Sequence, residues 1–543
     1  MSRIPVVLVR IDVPEAVLGA AWDSERAWDD EYAWDDVLFV TDGGTTSLWF
    51  SDGRYVSSTD GIVASARLAN EITFSRRATT VFWGGGRAAQ GMGAIELINT
   101  DGALDGLLSM RWRRAVVTVF IGYDGDAVAA LTRAARGVIE RVESVGEQAL
   151  RIVVADAASE LDVPFLTATY TTGELAGTLI PCVLGYCVSI PALHTGSPTL
   201  TYSIHDGGTP LVDGLVVRHA VYDSGAQLTP GTQWTALDSG DEHGFTLLQS
   251  TAGAITADAT GPSSTGSMFN SRALYYIVEY ALNTRLGWDS SRVDFAGITT
   301  LQTELGTTWF GRFVSGSTTY SELLTELADS FGGWWYIDTG GQVHFDRLRM
   351  PSGLPVLALD ETNLVGDIQI EFDTAPGLSD AVLGMRNWYV FDASALAGSV
   401  RDTATGVALR KPFRTRAQFA VDDVYAARRS AAPTVRRTLQ NDARNTTTAE
   451  PESGMPTALM ASGHVTAEAA RRATLYAGPR WWYRARAVLD ATDAVTLERG
   501  SVVRLTAPRH GLDAGRLLVV IGVDGRVGDG VVDLLLWGEG PTI

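Results

Sequence analysis

Lysine is nearly missing: Lys411 is the one lysine among 43 basic residues, and the other 42 are arginine. A Walker-type phosphate loop needs a lysine after its glycines, and none stands there. Cysteine is almost as scarce. Cys182 and Cys187 are too few for a disulfide scaffold, and C-x4-C is neither a zinc nor a redox spacing. Two small apolar core residues are the expectation. No stretch reaches the roughly 18 apolar residues of a membrane span. The opening MSRIPVVLVRIDVPEA has too short an apolar run for a signal peptide, so synthesis and folding in a cytoplasm are expected. Positive charge is also short, at 43 basic against 63 acidic residues for a net −20. Such a chain grips neither nucleic-acid phosphates nor an anionic membrane well.

Motifs of catalysis are missing too. Gly84-Gly85-Gly86 opens no dinucleotide fingerprint, and there is no G-x-S-x-G and no H-E-x-x-H. The seven histidines (194, 205, 219, 243, 344, 464 and 510) are scattered. Four of them lie near Asp206, Asp223 and Asp241, where a metal or nucleophile-base site is one reading. Turn histidines satisfied by their neighbours are the expected one. No catalytic residue, cofactor or metal site is assigned.

What the chain has is glycine, 57 residues spread along its whole length, and hence many turns between short strands. Residues 1–155 read as β, from Ile4–Ile11 through a hairpin at Thr41–Thr45 to Arg113–Tyr123. A helix is predicted over 126–136, stopped by Gly137, and a hairpin pairs 138–142 with 150–154 across Gly146. Residues 156–262 are turn-rich and all-β, and Pro262–Thr265 read as a linker. Residues 263–350 change character. Leu274, Ile277, Val278, Ala281 and Leu282 mark one helix, and Leu323, Leu324, Leu327 and Phe331 a second, stopped by Gly332-Gly333. An aromatic hairpin from Trp334 to Phe345 follows. Residues 351–543 return to β, with a helix predicted from Thr466 to Leu475 and the last two strands joined by Asp524-Gly525 and Gly528-Asp529-Gly530.

Two segments are candidate interfaces. In AWDSER-AWDDEY-AWDD, Trp22, Trp28 and Trp34 recur every six residues. On an extended strand that even period puts all three on one side, a stripe for core or subunit packing. The second segment is arginine-rich. Arg410, Arg414, Arg416, Arg428, Arg429, Arg436 and Arg437, with Lys411 and Arg401 beside them, read as either a solvated loop or a subunit seam using bidentate carboxylate pairing.

Three stretches, in order, resemble a known family. They are Tyr202–Gly207 with Val221–Gly225 and Thr256–Gly261, then Leu327–Trp335 with Asp338–Gly341, then Leu497–Thr506 through Pro508–Arg516 to Val519–Val523 and Leu534–Gly538. Together these look like the baseplate hub, or tail-tip, proteins of long-tailed bacteriophages and gene-transfer agents. The resemblance implies a mainly β fold with a smaller α+β part. Two tube-like β-barrels (1–155 and 351–543) would flank a β domain (156–262) and a helix-plus-hairpin domain (263–350). It implies a non-enzymatic homotrimer in the virion's tail baseplate, assembled in the host cytoplasm. Six barrels would ring the end of the sixfold tube, with genomic DNA passing through an acidic channel unbound. The partners implied are the distal tail or tail-tube protein, the tape-measure protein, and a separate central spike or fibre protein, since the chain stops at Ile543. One rival expectation is a monomeric adhesin, and the other is a polysaccharide-binding or -degrading protein with the pairs Trp334-Trp335 and Trp481-Trp482 as sugar platforms. Strand alternation argues against it by turning one tryptophan of each pair inward.

Overall fold

The computed structural model describes residues 5–14, 40–42, 45–78, 86–110, 112, 115–171, 173–196, 200–206, 217–239, 242–251, 253–262, 272–372, 379–420, 455–475 and 480–540. The fold is mainly β, with several sheets and a few helices.

A large antiparallel-rich sheet is built from the first part of the chain. Strand Pro5–Pro14 lies between Thr45–Ser51 and Val116–Tyr123, and the sheet runs on through Thr132–Val145 and Ala149–Asp156 to Ile95–Ile98. The hairpin across Gly146 forms as its β-branched residues predict, with Val142 opposite Ile152. The helix predicted over 126–136 does not form. Val128–Ala130 make one 3-10 turn, and Thr132 opens a strand of 14 residues. Alanine and arginine there have good helix propensity, but the pairing of residues 132–136 with strand Val116–Tyr123 outweighs it. Gly137 is no helix stop. It sits mid-strand, where a Cβ would come 2.3 Å from Val154 Cγ1 and 2.8 Å from Ala155 O.

The last part of the chain forms a second sheet, in the order Leu357–Leu359, Val502–Leu505, Arg516–Arg526, Val531–Glu539, Arg480–Val488, Leu364–Phe372. Strand Thr73–Arg77, from the first part, pairs with Arg516–Arg526. One core therefore joins both ends of the chain: Val9, Phe50, Val117 and Ile152 pack in the same cluster as Tyr483, Val520, Leu534 and Leu536. Arg76 is buried in it and donates to Ala134 O and Leu497 O, one backbone acceptor from each end. Asp524-Gly525 is not a turn, because the strand runs on to Arg526; the chain reverses over 527–530, at the predicted Gly528-Asp529-Gly530.

Between the ends lie two small sheets around Val183, Cys187, Phe245 and Ala257. Their hairpin Val217–Asp223 to Ala226–Gln227 turns on Ser224 and Gly225, with φ of 50° and 80°. Positive φ at both central residues is the two-residue turn that matches strand twist. The helical layer follows. Leu274–Glu279 continues as a π-helix to Arg285, and Tyr320–Ser330 starts on a capping box from Thr319 and Glu322. The predicted apolar faces of both helices are buried. Gly332, at φ 61°, ends the second helix as predicted. A further helix, Phe295–Leu305, went unread, although Asp294 before it accepts from Gly297 N as an N-cap should. The late helix begins at Ser462, four residues before the predicted start at Thr466. Thr466 lies inside it and donates to Ser462 O. Short helices at Gly398–Arg401, Ala404–Leu409 and Ala491–Thr496 were also not predicted.

Alternation was too simple a rule at Trp334-Trp335. Both side chains are buried, because the strand is covered on both faces. Trp335 packs among the helices, and Trp334 packs with Val519, Ile521 and Trp537 of the last sheet. Trp481 and Trp482 are each half-buried against a different cluster.

Candidate functional site

The predicted interface residues divide by where they fall. Trp22, Trp28, Trp34, Arg428, Arg429, Arg436 and Arg437 lie outside the described residues. Arg410, at the end of helix Ala404–Leu409, donates through Nε to Gly406 O. Arg414 and Arg416 lie on strand Phe413–Ala420, and Arg414 Nε donates to Asn387 Oδ1 at 2.5 Å. All three are half-buried or exposed, and the structure joins them into no single site.

The histidine-rich region does hold a cluster, and it is buried. Strand Cys182–Pro191 supplies Cys182, strand Thr201–Asp206 supplies His205 and Asp206, and the π-helix supplies Tyr280 and Arg285. Ligand atoms of Cys182, His205 and Asp206 lie within 4.8 Å of one another. These are the residue types of a nucleophile-base or metal site, so the hydrogen bonds decide. His205 Nδ1 accepts from Val183 N at 2.9 Å, which puts the ring proton on Nε2. Nε2 then faces Tyr280 Oη at 3.4 Å and Asp206 Oδ1 at 3.7 Å, and offers the Cys182 thiol no base. Burial pushes the Cys182 thiol well above the ordinary range, and it pushes His205 down to about 3. Both Asp206 oxygens are held by Arg285, at 2.8 and 2.6 Å. The guanidinium occupies the place where a cation would bind Asp206, so the cluster is a polar knot between sheet and helix closed by that ion pair. His205 is a neutral strand residue, not a turn residue. Cys182 and Cys187 are free, fully buried and in different core clusters, as small apolar residues would be.

A second histidine has the opposite electrostatics. His344, on strand Val343–Arg347, lies between two carboxylates. Nδ1 is 2.9 Å from Asp294 Oδ2, and Nε2 is 3.2 Å from Asp338 Oδ2. Each carboxylate fixes backbone with its other oxygen, Asp294 at Gly297 N and Asp338 at Gln342 N. The ring stacks on Tyr336 at 5.2 Å. Burial alone would lower the His344 pKa, but Asp338 and Asp294 outweigh it and raise it above the usual value. The protonated ring thus ties the start of helix Phe295–Leu305 to the Trp334–Phe345 hairpin. Its contribution is complete below about pH 6.5, the unfolded value, and is lost as pH rises through the raised folded value. His344→Gln is expected to lose roughly 1.5–3 kcal/mol at pH 6 and much less at pH 8, read as urea midpoints. An equal loss at both pH values would remove the charge from the account. The three residues are 50 and 6 positions apart, so local spacing holds no signal for them.

No protein-family model and no curated protein matches the chain. Among solved structures it is similar to the 43 kDa tail protein of prophage MuSo2 from Shewanella oneidensis, at 9% identity over 89% of this chain and 97% of that one, with a TM-score of 0.36. A tail protein from Neisseria meningitidis MC58 is 10% identical over 88% and 94%, with a TM-score of 0.34. Prophage tail protein gp18 from Listeria monocytogenes EGD-e is 8% identical over 89% and 92%, with a TM-score of 0.35. All three are tail proteins, the class that the sequence motifs resemble. These likenesses are distant, and no residue role follows from them.

Proposed function

We propose that this chain is a structural component of a phage-type tail: a trimeric hub at the distal end, joining the sixfold tube to the threefold tip and forming part of the DNA conduit. It works without catalytic turnover. The observation carrying this reading is that both ends of the chain build one sheet system around one core, with strand Thr73–Arg77 completing the last sheet. The resemblance calls for such a pairing of two β-rich ends. The sugar-binding alternative loses its first platform, since Trp334 and Trp335 are both buried. Trp22, Trp28 and Trp34, with the arginine-rich segment, remain the candidate seams. The distal tail or tail-tube protein, the tape-measure protein and a central spike or fibre are the neighbours this role requires.

The test has two parts. Mass spectrometry of purified particles is expected to find the chain there. Light scattering of the purified protein is expected to find a species three times the 58.1 kDa chain. Abundance in host cytosol with absence from particles, or a monomer or dimer at every concentration tried, would overturn the reading.

A further inference from the structure

Among the described residues, one face of the last sheet is left partly uncovered. Trp334 and Tyr336 of the hairpin and Leu475 of the late helix cover its apolar part, around Val519, Ile521 and Trp537. The rest is an open trough of two adjoining hollows, about 720 and 520 Å³, which share Arg77, Arg486, Asp524 and Asp533. Strand register puts Ser75 opposite Asp524, Asp524 opposite Asp533, and Asp533 opposite Arg486. Two like charges directly opposite are unfavourable. Here each is held from its outer side, Asp524 by Arg77 and Asp533 by Arg486 through two bonds of 2.8 and 3.0 Å. Further along, Arg526 pairs with Glu71 and Arg484 with Glu371. Every arginine of the trough thus faces a carboxylate, and all four remain more than half exposed.

We propose that this trough faces passing duplex DNA and that its carboxylates hold the arginines away from the phosphates. The proposal rests on the conduit reading and adds the surface and the device. A protein partner suits the trough poorly, because interface cores are depleted of charge and burying these pairs would strip their water. A water-filled channel leaves them hydrated. Free arginines would bind phosphate by releasing counterions, and each would retard the strand. Arginines paired within the chain give a polyanion no such gain.

The test frees them. Asp524→Asn with Asp533→Asn keeps side-chain size and leaves Arg77 and Arg486 unpaired. The parent protein is expected not to bind a short fluorescent DNA duplex at about 0.15 M salt. The double variant is expected to bind, with log K falling against log salt at a slope of about −2 for two freed arginines. Adding Arg77→Gln and Arg486→Gln should abolish that binding. If the Asp variants misfold, Glu71→Gln with Glu371→Gln frees Arg526 and Arg484 at exposed positions and should act the same way. Particles carrying either variant are expected to release DNA several-fold more slowly. Duplex binding by the parent, or none by a folded variant, would overturn the masking. Binding in solution with parental release from particles would take the trough off the DNA path and leave the hub reading standing. Absence of the chain from particles would defeat both.

Discussion

Arg285→Met is expected to destabilise the protein by about 3–5 kcal/mol, because it leaves the Asp206 carboxylate buried without its counter-charge. The pair is among the most enclosed in the described structure, with side-chain exposures of 11% and 4%. His205 does not replace the guanidinium as counter-charge, since its Nδ1 accepts from Val183 N and burial pushes its pKa down to about 3. The double variant Arg285→Met with Asp206→Leu removes both charges and is expected to recover much of the loss, since an apolar pair needs no desolvation. Urea midpoints of the parent and the two variants check this. If the single and double variants fall equally, the charge is not what matters and the cost is one of packing. Because sheet and helix meet at this knot, the single variant should also loosen the π-helix, seen as faster amide exchange over Tyr280–Arg285.

Trp335→Ala is expected to cost a similar 3–5 kcal/mol, the range for emptying a buried aromatic site. Trp335 is fully buried among the helices, and its Nε1 donates to Thr325 Oγ1 at 3.0 Å. Truncation leaves a cavity and an unpartnered hydroxyl on helix Tyr320–Ser330. Trp335→Phe, which keeps most of the volume and drops the hydrogen bond, should cost clearly less. A thermal melt of the three proteins separates volume from hydrogen bonding. If Trp335→Ala melts like the parent, the hairpin does not anchor the helical layer, and the sugar-platform reading regains its footing.

The sequence alone determined the local pieces. Leu323, Leu324 and Leu327 recur at helical spacing, and Thr319 with Glu322 caps that helix, so it forms and buries as read. Gly146, Gly225 and Gly332 stop or turn the chain because glycine, without a Cβ, takes the positive φ found there. The motif order also gave the tail-protein resemblance. Tertiary structure decided the rest. Residues 126–136 have helical composition, yet 132–136 open a strand because strand Val116–Tyr123 supplies their hydrogen bonds. Strand Thr73–Arg77 joins a sheet more than 400 residues further along, a pairing no local pattern carries. The chemistry followed the same rule. Cys182, His205 and Asp206 have the composition of a site, but Arg285, 79 residues from Asp206, makes them a closed knot. Asp294 and Asp338 reverse the charge preference of His344 by closing on it from two elements. Short-range sterics and periodicity are written in adjacent residues. Charge pairing and strand partnership depend on distances that only the folded chain sets.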